Sequence, residues 1–102
     1  MAAHYLYRLQ ATRPMMLSEG PTPEEAAVIE QHSAYLRALA DKGVVLFYGR
    51  TTNADETAFG IVVLGGESED VARHIMGNDP SVRDGVMRAE LYPFRIAYMA
   101  RR

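Results

Sequence analysis

The sequence predicts an α+β fold with elements in the order βαββαβ, a four-stranded antiparallel sheet with two helices on one face. Three observations predict it. Residues 22–43 carry a long stretch of helical period, bounded by a helix-start and a helix-stop signal. Two runs rich in β-branched and aromatic residues, 44–49 and 58–64, follow with too little chain between them for a crossover helix, so they pair as an antiparallel hairpin. A strand-like segment stands near each end of the chain, and a second helical stretch precedes the last of them. This is the split βαβ order of ferredoxin-like folds.

The first strand, residues 4–11, sets Tyr5, Tyr7 and Leu9 on one parity and His4, Leu6, Arg8 and Gln10 on the other. The stretch after it, TRPMMLSEGP, holds two prolines and a glycine, shows no period and reads as a loop. Its adjacent Met15, Met16 and Leu17 need cover, from the core or from a pocket they help to close. The long helix opens with Thr22, Pro23 and Glu25, a capping box with proline at the first helical position. Ala26, Ile29, Ser33, Leu36, Leu39 and Ala40 recur close to the 3.6-residue period, whereas Glu30, Arg37 and Asp41 fall on the other side. Gly43 supplies the stop. His32 lies inside the apolar stripe, between Ile29 and Leu36, which turns its imidazole toward the core or a pocket.

The hairpin strands are joined by RTTNADET, a turn through Asn53 and Asp55, and Gly65-Gly66 closes the second of them. Ser68 caps the second helix, Glu69 and Asp70 suit its first turn, and Val71, Ala72 and Ile75 form a narrow apolar face ending near Gly77. Asp79 caps a short turn that begins at Pro80 and ends at Gly85. Residues 86–99 are strand-like throughout, with Pro93 marking a bulge or an edge position. Both hairpin strands are apolar on both parities: Val44, Leu46 and Tyr48 against Val45 and Phe47; Phe59, Ile61 and Val63 against Val62 and Leu64. The sheet face away from the helices therefore needs cover. A second copy of the chain is the simplest source, and a homodimer through that open face is expected.

A chain of 102 residues is the size of one domain, and a single domain over 1–102 is expected. Hydrophobic residues at 48% and charged residues at 24% match a globular protein rather than a disordered or membrane-embedded one. The net charge of -2, from 11 basic and 13 acidic residues, gives no electrostatic reason to expect nucleic acid or an anionic membrane as partner. The chain has no cysteine, hence no disulfide framework and no thiolate nucleophile, which fits a reducing cytosol. The N-terminus lacks the basic and apolar regions of a signal peptide, and no run approaches the roughly 18 apolar residues of a membrane helix. A cytoplasmic location is expected.

Imidazole, with an ordinary pKa of about 6.5, is the side chain best suited to take and return a proton near neutral pH. A carboxylate bonded to one ring nitrogen fixes the tautomer and leaves the other nitrogen free as a base. In a ferredoxin-like fold the long helix and the segment after the second helix share a sheet face, so His32 and Asp79 can form such a pair. The alternative readings are a satisfied core histidine and an ordinary helix-cap aspartate. Arg13 and Arg50, in loops, are candidates to grip a substrate carboxylate through a bidentate fork, or else are solvated. Ser33 either donates a bond inside the pocket or is a small residue at a helix contact. Tyr5, Tyr7 and Tyr48 read as core or interface residues whose hydroxyls need partners. His4 and His74 read as surface residues. Three histidines without HxxxH or HxH spacing give no metal site, and Gly65-Gly66 is not followed by a phosphate-binding pattern, so no cofactor is expected.

The element order and several local motifs together resemble the YCII-related family of small α/β proteins. The residues that carry the resemblance are Arg13-Pro14, His32 with Tyr35-Leu36, Gly43, Gly49, Gly60, Asp79-Pro80, Gly85 and Pro93. The resemblance implies a dimeric α+β barrel similar to the muconolactone isomerase and chloromuconolactone dehalogenase group, with an active-site histidine and aspartate that fall on His32 and Asp79. Two features depart from the family pattern. Gly49-Arg50 stands where many members have Gly-Gly or Gly-Pro, and Met15-Met16 occupies the loop after the first strand. Two function classes follow: a small enzyme moving a proton next to a carbonyl or lactone, by isomerisation or elimination, and a non-catalytic ligand-binding or accessory module. A polar cavity open to water beside His32 favours the first, and a ring sealed by side chains favours the second.

Overall fold

The capping box stands as read. Thr22 Oγ1 accepts the Glu25 N–H at 3.1 Å and Glu25 Oε1 accepts the Thr22 N–H at 2.9 Å, with Pro23 at the first helical position. This box starts the longest helix of the computed structural model, which describes residues 4–100. Residues 1–3 and 101–102 of the expected 1–102 domain lie outside the described residues. The elements are β1 (His4–Ala11), α1 (Met15–Glu19), α2 (Pro23–Asp41), β2 (Val45–Arg50), β3 (Gly60–Gly65), α3 (Glu69–Asn78), α4 (Pro80–Arg83) and β4 (Met87–Phe94). The strands form one antiparallel sheet in the order β2-β3-β1-β4, the ferredoxin-like arrangement.

The sheet presents one parity to the helices. Tyr7 pairs with Val62 and Leu91, and Tyr5 pairs with Leu64. Tyr7, Leu9, Val62 and Leu64 form the core together with Val45, with Leu36 from α2 and with Ala72 and Ile75 from α3. Burial of these apolar side chains contributes most to holding the helices on the sheet. Ser68 caps α3 by accepting the Val71 N–H, as its position predicts.

Four features differ from the sequence expectation. The stretch after β1 is not all loop: Pro14 adopts helical angles, the Leu17 N–H reaches its carbonyl, and a single turn runs to Glu19 before Gly20 at φ +93°. Five residues are too few to display a period, so the turn is invisible in the sequence. Strand β4 ends at Phe94, which pairs with His4, rather than running to residue 99, and among the described residues none pairs with 95–99. Pro93 sits in β4 at the sheet edge without a bulge, where its missing N–H costs no ladder bond. The bulge lies instead in β2, between Val45 and Phe47. It puts Val45 and Tyr48, partners of Leu64 and Val62, on the helix side and Phe47, partner of Val63, on the open side. Finally, Ala26 and Ser33 of the expected helix face are exposed, and the face that turns inward carries Ile29, His32, Tyr35, Leu36, Leu39 and Ala40.

Candidate active site

Pro80 disfavours the α conformation at the residue before it, so α3 cannot continue through Asp79, which sits at φ −59°, ψ 123°. The chain turns there into α4, and the turn swings the Asp79 side chain inward. Asp79 is fully buried, with 0% of its surface exposed. A buried carboxylate survives only if hydrogen bonds replace its water. Four do. Oδ1 accepts the Ser81 N–H at 2.9 Å, the Ser81 hydroxyl at 2.8 Å and the His32 Nδ1–H at 2.7 Å, while Oδ2 accepts the Tyr7 hydroxyl at 2.8 Å. The cap reading and the pair reading of Asp79 are therefore not alternatives, since one oxygen serves both.

Burial pushes the Asp79 carboxyl up, but the bonds from His32, Tyr7 and Ser81 outweigh it and hold the group below the usual carboxylate range. Asp79 is thus ionised at neutral pH and can only accept. Burial, and then the neighbouring Asp79 carboxylate, drive the Tyr7 phenol far above its ordinary value, so Tyr7 can only donate. Tyr35 is also raised, by burial first and then by Asp79, and its hydroxyl donates to the Ile75 carbonyl at 2.8 Å. With Asp79 acceptor-only, His32 must carry a proton on Nδ1. Neutral His32 is then the Nδ1–H tautomer, with Nε2 as its free lone pair.

His32 is 14% exposed at its side chain and lines a cavity of about 680 Å³ between α2 and the sheet. Leu9, Met16, Ile29, Leu36 and Val62 give that cavity an apolar floor. Ser33, Tyr48, Arg50 and the segment Thr51 to Asn53 give it a polar wall. The volume falls in the range of small-molecule sites. Among the described residues, no group of three or more His, Asp or Glu side chains is arranged to hold a metal ion.

The structure brings His32 and Asp79 into contact and puts Ser33 and Arg50 on the same cavity. Arg13 is elsewhere. Its guanidinium forks onto Glu25, Nε to Oε2 at 2.9 Å and Nη2 to Oε1 at 2.7 Å, and Nη2 also reaches the Gly20 carbonyl. That engagement occupies the Nε–Nη2 edge of the guanidinium, and Arg13 does not line the cavity. Met16 and Leu17 do line it, through the short helix α1. Sequence reasoning missed Tyr7 and Ser81 as members of the site. Tyr7 had a signal, a hydroxyl on the core parity of a strand that required a partner. Ser81, two residues after a cap aspartate, had the position of a residue whose N–H an Asx side chain accepts.

The YCII-related domain model matches residues 5–95. Among solved structures, the chain is similar to a 5-chloro-2-hydroxyhydroquinone dehydrochlorinase from Burkholderia phenoliruptrix, in complex with 2,5-dihydroxybenzoquinone. The TM-score is 0.62 at 20% identity over 89% of this chain and 93% of that one. It is also similar to an uncharacterized protein from Thermotoga maritima, with a TM-score of 0.57 at 15% identity over 92% and 98% of the two chains. At these identities the likeness is one of fold. No curated protein matches the chain. No helix among the described residues is long and apolar enough to cross a membrane.

Proposed function

This chain belongs to the YCII-related domain family, and from that premise we propose that it is a small cytoplasmic enzyme that moves a proton on a cyclic carbonyl or lactone-type substrate. The observation that carries the proposal is the His32 Nδ1 to Asp79 Oδ1 bond of 2.7 Å, which leaves Nε2 as a base on the ring that lines the cavity. Nε2 takes a proton from the carbon beside the substrate carbonyl, and the electron pair moves onto the carbonyl oxygen as an enolate. Asp79 stabilises the imidazolium so formed. Return of the proton to a different carbon gives isomerisation, and departure of a leaving group from the neighbouring carbon gives elimination. In this reading Arg50 grips an anionic substituent, Ser33 hydrogen-bonds the substrate, and Leu9, Ile29 and Leu36 hold a flat apolar ring; that all five line the cavity supports it. The dehydrochlorinase of the same fold, in complex with a dihydroxybenzoquinone, supports a ring-shaped ligand with carbonyl oxygens.

The test is proton exchange, read by NMR in D2O, on 5-chloro-2-hydroxyhydroquinone, 2,5-dihydroxybenzoquinone and a set of unsaturated γ-lactones. At least one compound should exchange or turn over, with His32→Ala reducing the rate about 10²-fold or more and circular dichroism unchanged. Binding of these rings without exchange, equal in wild type and His32→Ala, would instead establish a ligand-binding module.

A further inference from the structure

We infer that Tyr7 is a positioning residue of this site, which acts through Asp79 to set how strongly the carboxylate holds the His32 ring. The inference rests on the proton-transfer reading for its catalytic consequence, but its physical core stands on the hydrogen-bond geometry alone. The two carboxylate oxygens of Asp79 are unequally loaded. Oδ1 accepts from His32 and twice from Ser81, whereas Tyr7 is the sole donor to Oδ2 among the described residues, 2.8 Å away at the end of a side chain with no exposed surface. Neither Tyr7 nor Asp79 has exposed surface, so the bond lies away from bulk solvent.

Electrostatics gives the direction. A carboxylate that shares its charge with several donors holds an imidazolium less tightly than one that does not. Removing the Tyr7 hydroxyl leaves more of the charge of Asp79 facing Nδ1–H, which favours the protonated ring. The groups that face the pair are few. Tyr7 comes from β1 and Tyr35 from α2, the latter turned to the Ile75 carbonyl, while Ser81 and the exposed Arg83 come from α4. From α3, Arg73 pairs with Glu69 on the solvent side and His74 is exposed; Arg88 and Glu90 of β4 bond to Gln10 and Arg8 across the open face. None of these last groups competes for Asp79. Tyr7 and Ser81 are the uncharged donors to Asp79, and of the two only Ser81 also touches the ring, its Oγ standing 3.2 Å from His32 Nδ1.

Tyr35 supplies the control. It too is a tyrosine whose hydroxyl makes one short bond in the same layer, but to a backbone carbonyl. Tyr7→Phe and Tyr35→Phe therefore both remove a phenol hydroxyl and both lower stability, yet only the first touches Asp79. The experiment is an NMR titration of the His32 ring in wild type and both variants, without any substrate. Tyr7→Phe should raise the midpoint of the His32 titration by about half to one pH unit, and Tyr35→Phe should leave it in place. Equal midpoints in all three proteins, or equal movement in both variants, would overturn the inference. If Tyr7→Phe does not fold, the wild-type proton spectrum carries the test: the Tyr7 hydroxyl proton, held between two buried side chains, should give a slowly exchanging downfield resonance coupled through space to the Tyr7 ring, and its absence would refute the role. Once a substrate is in hand, the acid limb of kcat/KM should follow the His32 midpoint. A midpoint that moves while the limb does not would uphold the positioning of the ring by Tyr7 and count against His32 as the base.

Discussion

At the scale of single residues Asp79 matters most, because one buried carboxylate serves a helix cap, a histidine tautomer and a tyrosine hydroxyl. Replacing it by asparagine puts an amide where all four partners donate, and at least one of the four must then lose its acceptor. Asp79→Asn should fold but lose about 1–3 kcal/mol, the cost of an unpaired buried donor, as measured by urea unfolding. The acid side follows from linkage. The folded carboxyl lies below its ordinary 3.8, so its contribution is complete above that pH and is lost as pH falls through the lower folded value. Glu25 behaves alike over a wider window, from its ordinary 4.5 down to about 2, held there first by Arg13 and then by the Thr22 N–H. The melting temperature should therefore fall as pH drops from about 4.5 to 2, and in Asp79→Asn the fall below pH 4 should be shallower. His32 and Asp79 were legible in the sequence as residue types in suggestive places. That Tyr7 joins them was not, since the contact spans 72 residues of chain and a strand parity says only that a hydroxyl is buried, not what it meets.

Among the elements, the start of α2 shows how a local signal can have a remote consequence. Thr22 and Glu25 cap the helix, and the same Glu25 takes the fork of Arg13, whose other nitrogen bond goes to Gly20. Arg13 and Gly20 bracket α1, so this cluster holds the turn that lays Met16 and Leu17 along the cavity wall. Thr22→Ala should cost about 1 kcal/mol of stability, a normal cap loss. Glu25→Ala should lower the melting temperature further than Arg13→Ala, because it removes both the box and the fork. For activity the ranking changes: Arg13→Ala should raise KM with kcat nearly kept, since it loosens a wall and leaves His32 and Asp79 untouched. The capping box and the periodic face of α2 were plain in the sequence because both repeat within a few residues. The bulge in β2 was not, because a run apolar on both parities has no alternation for a register shift to break. The end of β4 was hidden for a third reason: residues 95–99 look like a strand, but a strand needs a neighbour, and among the described residues the last pair with β1 is His4 opposite Phe94.

For the whole molecule the open sheet face is the unsettled surface, and its composition argues for a second copy of the chain. Val63 is fully buried between its register partners Leu6 and Phe47, yet Phe47, Tyr92 and Phe94 are 41%, 43% and 37% exposed. Arg8 interrupts this apolar surface. Its charge is already engaged, by Glu90 at 3.5 Å and by the Phe59 ring at 4.9 Å, so it can enter an interface with its partners in place instead of as a bare ion. A sheet with helices on one face only and aromatic residues on the other leaves solvent against apolar area that a two-fold related sheet would cover. A stable pair needs about 800 Å² from each partner, roughly one face of a four-stranded sheet. We expect a homodimer in solution, with light scattering at micromolar concentration returning twice the mass of one chain. Phe47→Glu puts a charge on the β2 edge of that face, against Val63, while leaving the helix side, the cavity and the His32–Asp79 bond alone. It should give the mass of one chain with an unchanged circular dichroism spectrum, whereas a variant on the helix surface such as Arg37→Glu should remain a dimer. A wild-type protein that scatters as a single chain at these concentrations would show that the open face is stable in water, and the apolar parity of β2 would then need a different occupant.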